Sequence, residues 1–193
     1  AYAVSNDEPV QQHYGELIVQ YYASGFADQA LFHYLNLYLY GGLFDSAAVL
    51  LQKLLPFLDP YSLRHVLCAS TGIAGIAAAA ATARLVAGPR AGAIAAFALA
   101  VCGPWYGSMF NHTKDIPFAA AMTGATYLLL RLSRDLPRPR LRHVIGFGLL
   151  LGAALGMRVL GLLMVGYAGI AMLMSTYERG GGSADDRLSL FAR

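Results

Sequence analysis

Charged residues are scarce in this chain of 193 residues, at 13% of the sequence, whereas a soluble domain carries about 25%. The net charge of +3 is too small to indicate a nucleic-acid partner, and none is expected. Cysteine is scarce too: Cys68 and Cys102 both lie in apolar stretches, which favours packing over a disulfide or a metal pair. With 57% hydrophobic residues and a mean hydropathy of +0.50, the composition excludes an ordinary soluble domain and predicts an integral membrane protein.

Long stretches without charge predict the membrane spans, since an apolar helix needs about 20 residues to cross a bilayer. We expect spans at about residues 62–84, 91–107, 116–131, 144–157 and 159–177. The last two flank Arg158 and form either one long tilted helix or two short helices that meet at the arginine. Residues 1–61 are then a large outer loop, and residues 178–193 a cytoplasmic tail. A first span is expected upstream of Ala1.

The placement of the arginines orients these spans. Five arginines fall within residues 131–143, and Arg84 and Arg90 flank another short turn. Short basic loops stay in the cytoplasm, so both turns are expected inside. Residues 1–61 and 104–115 are then expected on the outer, periplasmic side of a cell (inner) membrane that the chain crosses several times.

The outer loop is expected to contain surface helices. Asn6-Asp7-Glu8-Pro9 is typical of a helix start, with a cap followed by acid and proline in the first turn. Apolar residues then recur at helical spacing, and a second short apolar helix is predicted at residues 43–55. The chain is therefore predicted to be one all-α domain, a multi-spanning transmembrane helix bundle with amphipathic helices in its first outer loop.

Three polar features of the outer side are candidate functional sites, and each has a structural alternative. Capping explains one acid of the Asp7-Glu8 pair, but residues 1–61 hold six acids and one lysine. His112, Lys114 and Asp115 lie together at the mouth of a span, where capping and interfacial anchoring are the alternative. Arg158 lies between apolar stretches, where a charge is either functional or an interfacial anchor.

These residues carry a resemblance to a known family. Asn6-Asp7-Glu8-Pro9 resembles the start of the first periplasmic loop of GT-C membrane glycosyltransferases, in particular the protein O-mannosyltransferase and aminoarabinose-transferase superfamily. Residues 111–118 resemble the Asn-x-x-Lys-Asp-x-Pro-Phe element of its bacterial members. Gly156-Met157-Arg158 resembles the basic turn between two short spans of that fold. The resemblance covers the chain as the N-terminal half of such an enzyme.

The resemblance implies transfer of a hexosyl or pentosyl group from a polyprenyl-phosphate donor to a lipid, glycan or protein acceptor on the outer side. It implies that Asp7 is the base, that Lys114 and Arg158 neutralise the leaving phosphate, and that Glu8 and Asp115 orient the acceptor or bind a divalent cation. Further substrate contacts are expected from His112, Glu16 and Tyr14. The candidate metal ligands are Asp7, Asp115 and His112, and no other cofactor is expected.

A polytopic transporter or a lipid flippase component is the alternative function, and an assembly subunit without chemistry is a third. A transporter is expected to have polar groups near the bilayer midplane, whereas here the mid-span residues are alanine, glycine, leucine and isoleucine. The enzyme hypothesis makes a geometric prediction: the charged atoms of Asp7 and Arg158 should lie within about 6–12 Å across one outward-facing cavity.

Overall fold

The computed structural model describes residues 4–179, and every regular element in this range is helical. The α-helices in chain order are α1 Glu8–Ala23, α2 Leu43–Leu54, α3 Pro60–Ala87, α4 Pro89–Ala100, α5 Gly103–Asn111, α6 Asp115–Asp135, α7 Leu141–Met157 and α8 Leu162–Arg179. Short 3-10 turns lie at Ala30–His33, Leu37–Leu39 and Val159–Gly161. The predicted all-α class is confirmed. The expected cytoplasmic tail falls almost entirely outside the described residues.

Helix α3 is the centre of the bundle and packs against α4, α5 and α6. Asp59 begins it, because its carboxylate accepts a hydrogen bond from the Ser62 backbone N–H at 2.8 Å and Pro60 suits the first turn. Gly88 ends it with φ +89°, a conformation that favours glycine. Its 28 residues are more than long enough to cross a bilayer core.

Some helices are long enough to be the predicted spans, and others are broken or short. By length and composition, α3, α6 and residues Val159–Tyr177 are each able to cross a membrane. The span expected at residues 91–107 falls on two helices, α4 and α5, which are long and apolar enough together to cross a membrane but are bent by 63° at a break. Pro104 in the first turn of α5 explains the break, since it has no N–H to continue the ladder from α4. Helix α7 is a shorter apolar helix of 17 residues.

Of the two alternatives around Arg158, the structure has two separate helices. Helix α7 ends at Met157, and Arg158 itself is extended, with φ −150° and ψ 140°. A 3-10 turn at Val159–Gly161 then leads into α8. The arginine therefore lies at a break in the backbone rather than inside a continuous helix.

Helix α2 packs on the ends of the spans, and α1 packs on α2. Buried Phe44 and Ala48 of α2 pack with Cys68 of α3, Met109 of α5 and Ile116 of α6. A second cluster joins α6 to α8 through Ala125, Leu129, Met164 and Ala168. Both cysteines are free, and Cys68 is fully buried in the first cluster. This packing fixes α1 and α2 above α3 and the start of α6, where the polar residues gather.

Candidate functional site

Three separate parts of the chain meet around one polar cavity of about 220 Å³. They are the start of α1, the turn between α5 and α6, and the break after α7. The lining residues are Ser5, Asp7, Gln11, Asn111, His112, Thr113, Lys114, Asp115 and Arg158. Five of the residues predicted from the sequence are thus brought together: Asp7, His112, Lys114, Asp115 and Arg158.

Asp7 occupies the cap position of α1, but it does not cap the helix. Its backbone is helical, with φ −85° and ψ −22°, and its side chain makes no capping hydrogen bond. Glu8 makes the side-chain contact at this helix start instead, because its carboxylate accepts a hydrogen bond from the Ser5 backbone N–H at 2.7 Å. This is one of the two hydrogen bonds that form a capping box. Asp7 therefore makes no capping hydrogen bond, and it lines the cavity.

Glu8 does not line the cavity. Its side chain is fully buried, and its Oε1 lies 2.7 Å from Nε2 of His65 on α3. A buried carboxylate is costly unless it is paired, and His65 together with the Ser5 N–H supplies the partners. Glu8 thereby ties the first turn of α1 to α3, directly behind Asp7.

Asp115 and Arg158 form an ion pair between two of the segments that line the cavity. One guanidinium nitrogen of Arg158 donates to Asp115 Oδ1, and His112 Nδ1 lies 3.7 Å from Asp115 Oδ2. Asp115 is the acidic residue in the first turn of α6, directly after the cap residue Lys114. The pair is partly exposed, at 34% for Arg158 and 57% for Asp115, so it contributes at most about 1 kcal/mol to stability. Its main effect is to hold the break after α7 against the start of α6.

Aromatic rings hold the cavity's two cations in place. The Lys114 ammonium lies 5.7 Å from the centroid of the Tyr40 ring. The Arg158 guanidinium carbon lies 6.0 Å from the centroid of the Phe118 ring. Both distances suit a cation–π contact, which gives Lys114 an aromatic partner and gives Arg158 a second partner besides Asp115.

Tyr14 and Glu16, predicted as further substrate contacts, are not among the residues that line this cavity. The buried Tyr14 hydroxyl donates to the backbone oxygen of Tyr40 at 3.2 Å. Burial raises the Tyr14 pKa above its ordinary value, and the nearby Asp45 carboxylate adds to that shift. Glu16 is exposed and accepts a hydrogen bond from Gln12 at 3.1 Å.

The predicted metal ligands Asp7, His112 and Asp115 all line the cavity. Within residues 4–179, no group of three or more His, Cys, Asp or Glu side chains is arranged to hold a metal ion. Asp115 is already engaged by Arg158. Binding of a divalent cation by Asp7, His112 and Asp115 stays a prediction, and no chemical step is assigned to it below.

Sequence analysis missed a buried polar cluster beneath the cavity, centred on Arg64 of α3. Its Nη2 lies 2.5 Å from Asp45 Oδ1 of α2. It also donates to Gln11 Oε1 at 3.2 Å and to Thr113 Oγ1 at 3.4 Å. Burial raises the Asp45 pKa, and the Arg64 charge opposes that rise. The signals available in the sequence were Gln11 in the first predicted surface helix, Asp45 in the second, and one arginine just before an uncharged stretch.

Fold and cavity together define a class: a polytopic helical membrane protein with a charged cavity at the ends of its spans. A comparison with family models is more specific, because the model of the dolichyl-phosphate-mannose-protein mannosyltransferases matches residues 60–181. The chain belongs to this family and is a membrane glycosyltransferase of the GT-C type. The matched region includes Lys114, Asp115 and Arg158, whereas Asp7 precedes it. Neither a search of curated proteins nor a search of solved structures found a match.

Proposed function

We propose that the protein transfers a sugar from a polyprenyl-phosphate donor to a lipid, glycan or protein acceptor at the outer face of the cell membrane. The supporting observation is that Asp7, Lys114 and Arg158 come from three distant parts of the chain and line one cavity. Independent caps and anchors have no reason to converge. A cavity lined by a carboxylate and two cations suits a reaction that takes up a proton from an acceptor and releases a phosphate from a sugar.

In the proposed reaction the Asp7 carboxylate removes the proton of the acceptor hydroxyl. The hydroxyl oxygen bonds to C1 of the sugar while the bond from C1 to the phosphate oxygen breaks. The bonding electron pair leaves with the polyprenyl phosphate, whose new negative charge faces Lys114 and Arg158. The products are the glycosylated acceptor, polyprenyl phosphate and a proton held on Asp7.

The ion pair leaves Arg158 able to bind phosphate. A guanidinium has five N–H donors, and the contact with Asp115 uses one of its nitrogens. Asp115 is proposed to aim the remaining donors into the cavity, and Glu8 is proposed to hold the first turn of α1 so that Asp7 faces them. His112 is proposed to contact the substrate from the cavity wall.

The location of the cavity favours this function over the transporter alternative. Asp7 and Asp115 lie at the starts of α1 and α6, and Arg158 follows the end of α7. The charged groups therefore gather at helix ends rather than at mid-span, where a transport site is expected.

Transfer can be tested directly with membranes that contain the full-length protein. Incubation with a panel of radiolabelled hexosyl and pentosyl polyprenyl phosphates should move label from one donor into acceptor material. Membranes that contain the Asp7→Asn variant at equal abundance are the matched control. No transfer from any donor would contradict the proposed activity, whereas equal transfer in both preparations would contradict only the role assigned to Asp7.

The proposed orientation predicts a pattern of cysteine labelling. In sealed cells an impermeant thiol reagent should label Ser24→Cys, after α1, and Ser108→Cys, on α5, because both segments are expected outside. Ser133→Cys, near the basic inner turn, should react only after the membrane is permeabilised. Labelling of Ser133→Cys in intact cells would reverse the orientation and place the cavity in the cytoplasm.

A further inference from the structure

Arg64 is a buried cation that the proposed reaction does not use. Its side chain is 1% exposed, and it does not line the cavity. A charge in such a place requires both a counter-charge and hydrogen-bond partners. Asp45 supplies the counter-charge, and the side-chain oxygens of Gln11, Gln12 and Thr113 accept from the guanidinium.

Two of these partners, Gln11 and Thr113, are themselves part of the cavity wall. Gln11 lies one helical turn after Asp7, and its backbone N–H donates to the Asp7 backbone oxygen at 2.9 Å. Thr113 lies between His112 and Lys114 in the turn that leads to Asp115. The Thr113 hydroxyl also donates to the Gln11 side chain. Arg64 therefore contacts both sides of the cavity through one nitrogen, Nη2.

We propose that Arg64 is a positioning residue, which sets the distance between the Asp7 side of the cavity and the Lys114–Asp115 side. This inference rests on the proposed function, in which a base and a phosphate-binding cation must flank one sugar. The ion pair with Asp45 fixes the Arg64 guanidinium between α2 and α3. Through its hydrogen bonds to Gln11 and Thr113, the guanidinium then fixes the positions of the reacting groups on the two sides of the cavity. A shift of about 1 Å between such groups is enough to cost about 100-fold in rate.

Lysine cannot replace arginine in this position. An ammonium group provides a single point of charge, whereas the planar guanidinium directs several donors at once. Arg64→Lys therefore keeps the counter-charge for Asp45 but cannot hold Gln11 and Thr113 together. Thr113→Val removes the shared hydroxyl at nearly constant volume, and Thr113→Ser restores it.

Steady-state kinetics of the full-length protein in lipid nanodiscs test the proposal. Arg64→Lys and Thr113→Val should each lower kcat by about 10- to 100-fold, with little change in the donor KM, because the cations remain but are displaced from Asp7. Thr113→Ser should recover most of the lost kcat. Gln52→Ala is the matched control, since Gln52 accepts from Gln12 at 3.0 Å but does not line the cavity. A purely structural Arg64 would lower the thermal midpoint and leave kcat per folded molecule unchanged, which would overturn the proposal.

Hydrogen–deuterium exchange provides a second measurement that does not depend on catalysis. Arg64→Lys and Thr113→Val should speed exchange at residues 5–11 and 111–115 together, whereas Gln52→Ala should affect neither segment. Unchanged exchange at both segments would overturn the positioning proposal even in an active enzyme. If the variants exchange faster but the unaltered protein has no transferase activity, the result would support the positioning contacts. It would then contradict only the proposed function.

Discussion

Asp7→Asn should lower the rate of sugar transfer by at least about 100-fold, the smaller end of what a positioned general base contributes. Asparagine has nearly the same shape but cannot take up the proton of the acceptor hydroxyl. The fold should be unaffected, because Ser5 and Glu8, not Asp7, make the side-chain contact at the start of α1. Rates measured with labelled donor and normalised to folded protein provide the test.

Asp28→Asn is the matched control for this prediction. It also removes a carboxylate from the segment before α2, but Asp28 accepts hydrogen bonds from Gln20 and from the Ala30 backbone N–H and does not line the cavity. Its transfer rate should stay close to that of the unaltered protein. Near-normal transfer by Asp7→Asn would mean that another group removes the proton, and Asp7 would lose its assigned role.

The convergence of Asp7, Lys114, Asp115 and Arg158 was predictable because each is a charge beside apolar sequence, at a helix end expected on the same side of the membrane. Charges are expensive inside the bilayer, so charged residues at adjacent helix ends are confined to the surface. The sequence pattern did not predict the direction in which each side chain points. Successive residues of a helix point about 100° apart, so Asp7 and Glu8 point in different directions. The structure turns Asp7 into the cavity and buries Glu8 against His65.

The Arg64 cluster shows a different limit of sequence reasoning. Arg64 is separated from Gln11 by 53 positions and from Thr113 by 49. No local periodicity relates residues so far apart on different helices. The hydropathy pattern placed Arg64 at the end of an apolar span, where an interfacial arginine is the ordinary interpretation. Arg64 becomes buried only because α1 and α2 pack over α3. That packing brings Gln11 and Asp45 within hydrogen-bond distance of its guanidinium.

The break between α4 and α5 was missed for a related reason. The stretch is apolar throughout, and hydropathy alone cannot distinguish a straight span from a bent pair. Helix α4 has 12 residues, which at about 1.5 Å per residue is too short to cross a bilayer by itself. The bend at Cys102 brings Asn111 and the residues after it to the cavity, so this departure from a regular span helps to form the site.

Arg158→Met should lower kcat by about 100- to 1,000-fold, the loss that follows removal of one group that stabilises a developing anion. Methionine retains an unbranched, flexible side chain but cannot neutralise the leaving phosphate. Loss of stability should not explain the effect, because a partly exposed ion pair contributes at most about 1 kcal/mol. The thermal midpoint should therefore change little while transfer nearly stops.

A double variant separates two roles that Arg158 could have. If Arg158 serves only to neutralise Asp115, then Arg158→Met harms the enzyme by leaving that carboxylate unpaired, and adding Asp115→Asn should restore activity. If Arg158 binds the leaving phosphate, the double variant should be as inactive as Arg158→Met alone, whereas Asp115→Asn alone should cause a smaller loss because Arg158 is still present. We expect the second pattern, since Arg158 lines the cavity beside Lys114 and uses one nitrogen for Asp115. Recovery in the double variant would leave Lys114 as the phosphate-binding cation of the proposed mechanism.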